Sequence, residues 1–213
     1  MQEILINHKR GERPKISLTV RRVEPSVWDS LGFYKHHYLT EKLNPSCKCF
    51  LFEWNGVPVG FVGILNTPRK NLPYDMAISR MVILPDYQGL GLSRPILDFC
   101  GRIIKSLGEE YRLTIKTAHT KMGTMLEKNS NWNPTQFNGK GRAEQTWELG
   151  KYNKRLTRKS FCYIYVGEKS DDYIDILKPI KEMRKEKYEK EMSLQKKSRK
   201  TIPTERSLFE NEW

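Results

Sequence analysis

The stretch Arg80-Met81-Val82-Ile83-Leu84-Pro85-Asp86-Tyr87-Gln88-Gly89-Leu90-Gly91-Leu92-Ser93 decides how this chain folds. An apolar run reaches a proline, then a glutamine and two glycines one residue apart, then a segment with helical spacing. Pro85 ends the strand, because it has no N–H and holds Leu84 extended. Gly89 and Gly91 supply positive φ and remove Cβ where backbone must touch a ligand. Pro95 suits a first helical turn. Ile96, Leu97, Cys100, Ile103, Ile104 and Leu107 then recur on one face, with Gly108 as the stop. Strand, tight loop and helix N-terminus in that order aim backbone N–H groups and the positive end of a dipole at one spot. Such a spot binds a phosphate or diphosphate.

Two common phosphate motifs are excluded. A P-loop needs a lysine after its glycines, and none stands here. A dinucleotide-binding turn needs a third glycine where this chain has Arg94. What remains is Gln88-x-x-Gly91-x-Ser93 behind an apolar strand and a proline, which resembles the acetyl-CoA-binding signature of the GNAT acyltransferases. The resemblance spans residues 16–167 and is strongest from Met76 to Trp132. It implies an α/β (α+β) GNAT fold: a mixed, twisted sheet with splayed central parallel strands and helices on both faces. It implies acetyl-CoA, or another acyl-CoA, as donor to a primary amine. Gln88, Gly89, Leu90, Gly91, Leu92 and Ser93 would hold the diphosphate. Met81, Val82 and Ile83 would pair with the pantetheine arm like an added strand.

The usual acid and base of that family are missing. The segment Thr120-Lys121-Met122-Gly123-Thr124-Met125-Leu126-Glu127 has no tyrosine, and Ala77-Ile78-Ser79-Arg80-Met81 has no carboxylate. His119, directly after a strand, is one substitute, since histidine titrates near neutrality. Its structural alternative is a hydrogen-bonded strand end. A second substitute is His36-His37-Tyr38. The His37-Tyr38 pair, Pro45, the Asn55-Gly56 turn, Ser79-Arg80-Met81-Val82 and the later Leu126-Glu127-Lys128-Asn129 and Trp132 resemble a GNAT subset. That subset includes the acetyltransferase domain fused to certain ABC-type ATPases and the Mom-type phage enzymes that modify adenine in DNA. The resemblance implies His37 and Tyr38 as catalytic candidates and Arg80 as a substrate-positioning one; His119 joins the catalytic candidates by its place after the strand, and His36 the substrate-binding ones by its place at the end of the first helix. In the structural alternative, Arg80 pairs with Asp75 or Asp86, and His37 and Tyr38 pack a helix end.

Charge points to an anionic partner. The net charge is +13, and residues 1–167 carry 26 Lys and Arg against 14 Asp and Glu, while residues 168–213 carry 12 against 11. The excess therefore belongs to the domain and its arm, and DNA or RNA is the partner it suits, with a plain solvated surface as the alternative. A scaffold without chemistry that only holds nucleic acid is the competing function.

The remaining sequence sets organisation. Residues 1–15 read as a basic arm, 16–167 as the acyltransferase domain, and 168–213 as a charged extension, helical from Lys178 and then disordered. Ile16–Val20 alternates as a first strand, and Pro25 to His37 reads as a helix. Cys49–Trp54, Asn55-Gly56 and Val57–Leu65 form a hairpin with a type I′ turn. Strands follow at 76–84, 111–118 and 161–166, with a short helix at 120–128, and residues 133–160 carry no legible pattern. No apolar run approaches the roughly 18 residues of a membrane span. The four cysteines lack metal or disulfide spacing, so no metal site and a reducing, cytoplasmic setting are expected, with the protein a monomer or homodimer.

Overall fold

Alternation along Ile16–Val23 sends Ile16, Leu18 and Val20 into one buried layer, as period-two patterning requires. The computed structural model describes residues 2–6, 15–37, 42–140, 144–148, 151–155, 159–170 and 175–177, with backbone only for 2–6, 144–148 and 151–155. All of these lie in the first of two compact units, Met1–Leu177. The helix predicted from Lys178 falls in the second unit and outside the described residues; most of the basic arm and Tyr38 also lie outside the described residues.

The elements in chain order are β1 (Gln2–Ile6), β2 (Ile16–Val23), α1 (Val27–Ser30), β3 (Lys48–Trp54), β4 (Val57–Asn66), β5 (Asp75–Ile83), α2 (Ser93–Lys105), β6 (Arg112–Thr117), α3 (Thr120–Glu127), β7 (Trp132–Pro134), β8 (Glu144–Glu148), β9 (Lys151–Arg155) and β10 (Phe161–Tyr165). Eight strands form one sheet in the order β1-β2-β3-β4-β5-β6-β10-β7, and β8 and β9 pair separately. The β3–β4 turn has Asn55 at φ 50° and Gly56 at φ 78°, the predicted type I′ geometry. The fold is the expected mixed sheet with helices on both faces.

One face carries α2 and α3 over Leu18, Phe52, Val62, Ile64, Ile78 and Ile115. The other carries α1 and a 3₁₀ turn at Phe33–His36 over Leu51 and Phe61. Each large apolar side chain buried in these layers contributes about 1.5–3 kcal/mol. Helix α2 buries Ile96, Leu97, Cys100, Ile103 and Ile104, the face its spacing predicts. It approaches β10 through Gly101, where any Cβ would lie 2.2 Å from the Tyr165 ring.

Two expectations are corrected. The helix read from Pro25 to His37 is broken, because Gly32 adopts φ 70° and the chain restarts as a 3₁₀ turn. The arm is in part a strand, since Gln2–Ile6 pairs antiparallel with Ile16–Val20.

Candidate active site

The central strands part where the loop begins to matter. β5 and β6 are parallel and paired at Asp75–Arg112, Met76–Leu113, Ala77–Thr114 and Ile78–Ile115, and the pairing stops there. On its other edge β5 stays paired with β4 as far as Ile83–Gly60. The β4–β5 register slips at the same level: Gly63 faces Arg80 and Ile64 faces Ile78, which leaves Ser79 as the extra residue of a bulge. A bulge bends a strand and increases its twist. Residues 79–83, with Met81, Val82 and Ile83 among them, thus have no β6 partner on that edge and leave a gap in the pairing, although β6 stays paired with β10 on its other edge as far as Thr117–Phe161.

The loop closes one end of this gap. Ile83 ends β5, Leu84 is extended, and Pro85–Tyr87 makes a 3₁₀ turn. Gln88 Nε2 donates to the Ile83 carbonyl at 2.9 Å, so the signature glutamine ties the loop to the strand end. Gly89 and Gly91 sit at φ 82° and 81°, the left-handed conformations predicted for them. A Cβ at Gly89 would meet nothing within 4 Å, so the space beside the loop is open. α2 then starts at Ser93, and its first N–H groups have no intrahelical partner by geometry. No side chain caps this end, no acidic residue occupies its first turn, and Arg94 adds a positive charge. Leu92 is the exception among the six loop residues: its side chain is buried in the core, and only its backbone faces the loop. A diphosphate fits this donor set, and the gap beside residues 81–83 fits an extended arm.

Of the predicted polar residues, His37 and Arg80 are brought together. His37 is half-buried, its ring edge-on to Trp28 at 5.8 Å between centroids. Burial, reinforced by the charge of Arg80, pushes its imidazole down to about 4, so it is neutral at physiological pH. Arg80 donates to the carbonyls of Ser79 at 2.8 Å and Lys42 at 3.1 Å. Cys47 shares this corner, hydrogen-bonded to Ser79 and within the field of Arg80, though burial still raises its thiol. Arg80 does not pair with Asp75, because the parallel register sets Arg112 opposite Asp75 and Arg69 takes the same carboxylate.

The other candidates are placed differently. His36 is exposed on the 3₁₀ turn. His119 follows β6 as predicted, but it is the N-cap of α3, with Nδ1 accepting from the Met122 N–H at 3.3 Å. That is a hydrogen bond at a strand end, as the structural alternative expects, and it engages Nδ1 alone. All four cysteines are buried and free, with thiols pushed upward by burial. Among the described residues no cluster of His, Cys, Asp and Glu could hold a metal, and no helix is long and apolar enough to cross a membrane.

Neither Ser79, which the sequence shows only within a motif, nor Cys47 is singled out by sequence reasoning as a site residue. A bulge residue carries no local signal, and Cys47 reaches the site only through the loop before β3.

The acetyltransferase (GNAT) family model matches residues 16–125, more than half of the chain. Among solved structures, the ribosomal-protein-S18-alanine N-acetyltransferase from Escherichia coli shares 13% identity at a TM-score of 0.52, covering 73% of this chain and 97% of that one. An acetyltransferase of the GNAT family from Streptococcus pneumoniae shares 18% identity at 0.47, covering 70% and 99%. The IAA acetyltransferase from Bacillus cereus shares 13% at 0.46, covering 70% and 98%. The first of these likenesses supports the fold alone. A comparison with curated protein sequences gives no significant match.

Proposed function

The chain belongs to the acetyltransferase (GNAT) family, with acetyl-CoA as acyl donor, and from that premise we propose an active N-acetyltransferase built around the gap between β5 and β6. The observation that carries this is the end of parallel pairing at Ile78–Ile115, directly below a loop with two left-handed glycines and an uncapped helix. Gln88 to Ser93 hold the diphosphate, and the β5 edge at Met81, Val82 and Ile83 receives the pantetheine arm. Backbone N–H groups of that edge are the donors available to the thioester oxygen as charge develops on it.

His37 is the proton acceptor for the attacking amine in this reading. It is uncharged at neutral pH, and it stands beside Arg80 at the level of the bulge. At about 4 it is a weak base, suited to the proton of the tetrahedral adduct, which is far more acidic than that of a free ammonium. Arg80 positions the acceptor. The positive excess of residues 1–167 supports an amine on a nucleic acid, or on a protein that accompanies one. The similarity to the DNA-modifying subset rests on the same His37 and Arg80.

Isotope-labelled acetyl-CoA incubated with DNA, RNA and protein fractions tests this. Label should enter one fraction with the wild type and none with His37→Ala, while acetyl-CoA affinity in the variant stays within about twofold. Unchanged transfer by His37→Ala returns that residue to packing. Binding of duplex DNA with no binding of acetyl-CoA supports the scaffold without chemistry instead.

A further inference from the structure

Beyond Ile78 and Ile115 no backbone pairing joins β5 to β6, so the sheet itself does not set how wide the gap stands. The width must come from whatever ties the element after β5 to the elements after β6. The element after β5 is α2; those after β6 are α3 and β7.

Besides the contact of Gly101 with Tyr165 of β10, Asp98 makes the polar part of that tie. It lies on the buried face of α2, five residues after the phosphate loop ends, and is 5% exposed. Its Oδ1 accepts from Asn129 Nδ2 at 2.8 Å and from Trp132 Nε1 at 2.8 Å. Its Oδ2 accepts from Asn131 Nδ2 at 3.1 Å, with Arg94 Nε 3.8 Å away. The three close donors are neutral and all come from the turn that closes α3 and opens β7. Within that turn Asn129 Oδ1 accepts the Asn131 N–H, and the Asn129 carbonyl accepts the Trp132 N–H.

A buried carboxylate is a poor way to gain stability, because its desolvation offsets much of what its hydrogen bonds return. Three directional, charge-assisted bonds do fix distance and angle, which apolar packing does not. We propose that Asp98 is a positioning residue that holds α2 against the α3–β7 turn and thereby sets the width of the cleft for the pantetheine arm. This rests on the reading of residues 81–93 as the cofactor site. The phosphate loop itself stays anchored to β5 by Gln88 without help from Asp98.

That division of labour gives the test. Calorimetry compares coenzyme A with adenosine 3′-phosphate 5′-diphosphate, which is coenzyme A without its pantetheine arm. Asp98→Asn should weaken coenzyme A about tenfold and leave the truncated ligand unchanged. Equal loss for both ligands, or no loss for either, overturns the proposal. Should Asp98→Asn fail to fold, Trp132→Phe removes one donor and keeps a ring in place. It should weaken coenzyme A alone by about threefold, and an unchanged ratio of the two affinities overturns the proposal. Wild type binding neither ligand overturns the cofactor-site reading and this inference together. Wild type binding both, with Asp98→Asn unaltered, overturns this inference alone.

Discussion

Replacing Gly89 by alanine isolates the backbone requirement of the phosphate loop. At φ 82° an alanine is left-handed, and a Cβ there meets nothing within 4 Å, so crowding within the free protein contributes nothing. In the free protein the whole cost is conformational, about 1–2 kcal/mol. If the loop keeps its shape, that cost appears as lost stability. If it relaxes, the shape must be restored on binding, and the same 1–2 kcal/mol weakens acetyl-CoA by about 5–30-fold. Urea unfolding and calorimetry on Gly89→Ala should therefore give losses that together reach this total. Gly89→Asn should lose less stability, because asparagine tolerates the left-handed region. Alanine without cost in either measurement, or asparagine less stable than alanine, refutes the reasoning.

Three further outcomes follow from particular residues. The His37 imidazole should titrate near 4 by NMR, below its usual 6.5. Because its folded pKa is depressed, the stability it confers is complete above about 6.5 and falls as pH drops toward 4, so His37→Gln should flatten that acid limb. Gly101→Ala, which would place a Cβ 2.2 Å from the Tyr165 ring, should cost about 1–3 kcal/mol in thermal unfolding. His119→Ala removes the cap on the Met122 N–H and should cost about 0.5–1 kcal/mol, with little effect on transfer; a large loss of transfer at full stability would restore a chemical role to His119.

The parts of the fold that were legible are those written in local chemistry. Asn55-Gly56 specified its turn, alternation specified β2, and Pro85 with Gly89 and Gly91 specified the strand end and loop. The helix read from Pro25 failed at Gly32, where apolar spacing continues across a residue that leaves the helical region. β1 was missed because its pairing with β2 is a tertiary matter that five residues do not announce. At the site, burial and neighbours decided what sequence left open. His37 lies against Trp28 and Arg80, whereas His119 turns to cap its own helix. Arg80 escaped its expected partner because strand register gave Asp75 to Arg69 and Arg112. The Asp98 cluster joins residues more than thirty positions apart and has no local signature.

The central claim is that the amides from Gln88 to Ser93 converge on the diphosphate of acetyl-CoA. Amide chemical shifts recorded while coenzyme A is titrated test it directly. The largest, saturable changes should fall at residues 88–93, followed by residues 81–83 along the β5 edge. Saturable binding that leaves those amides unmoved and shifts another surface would contradict it.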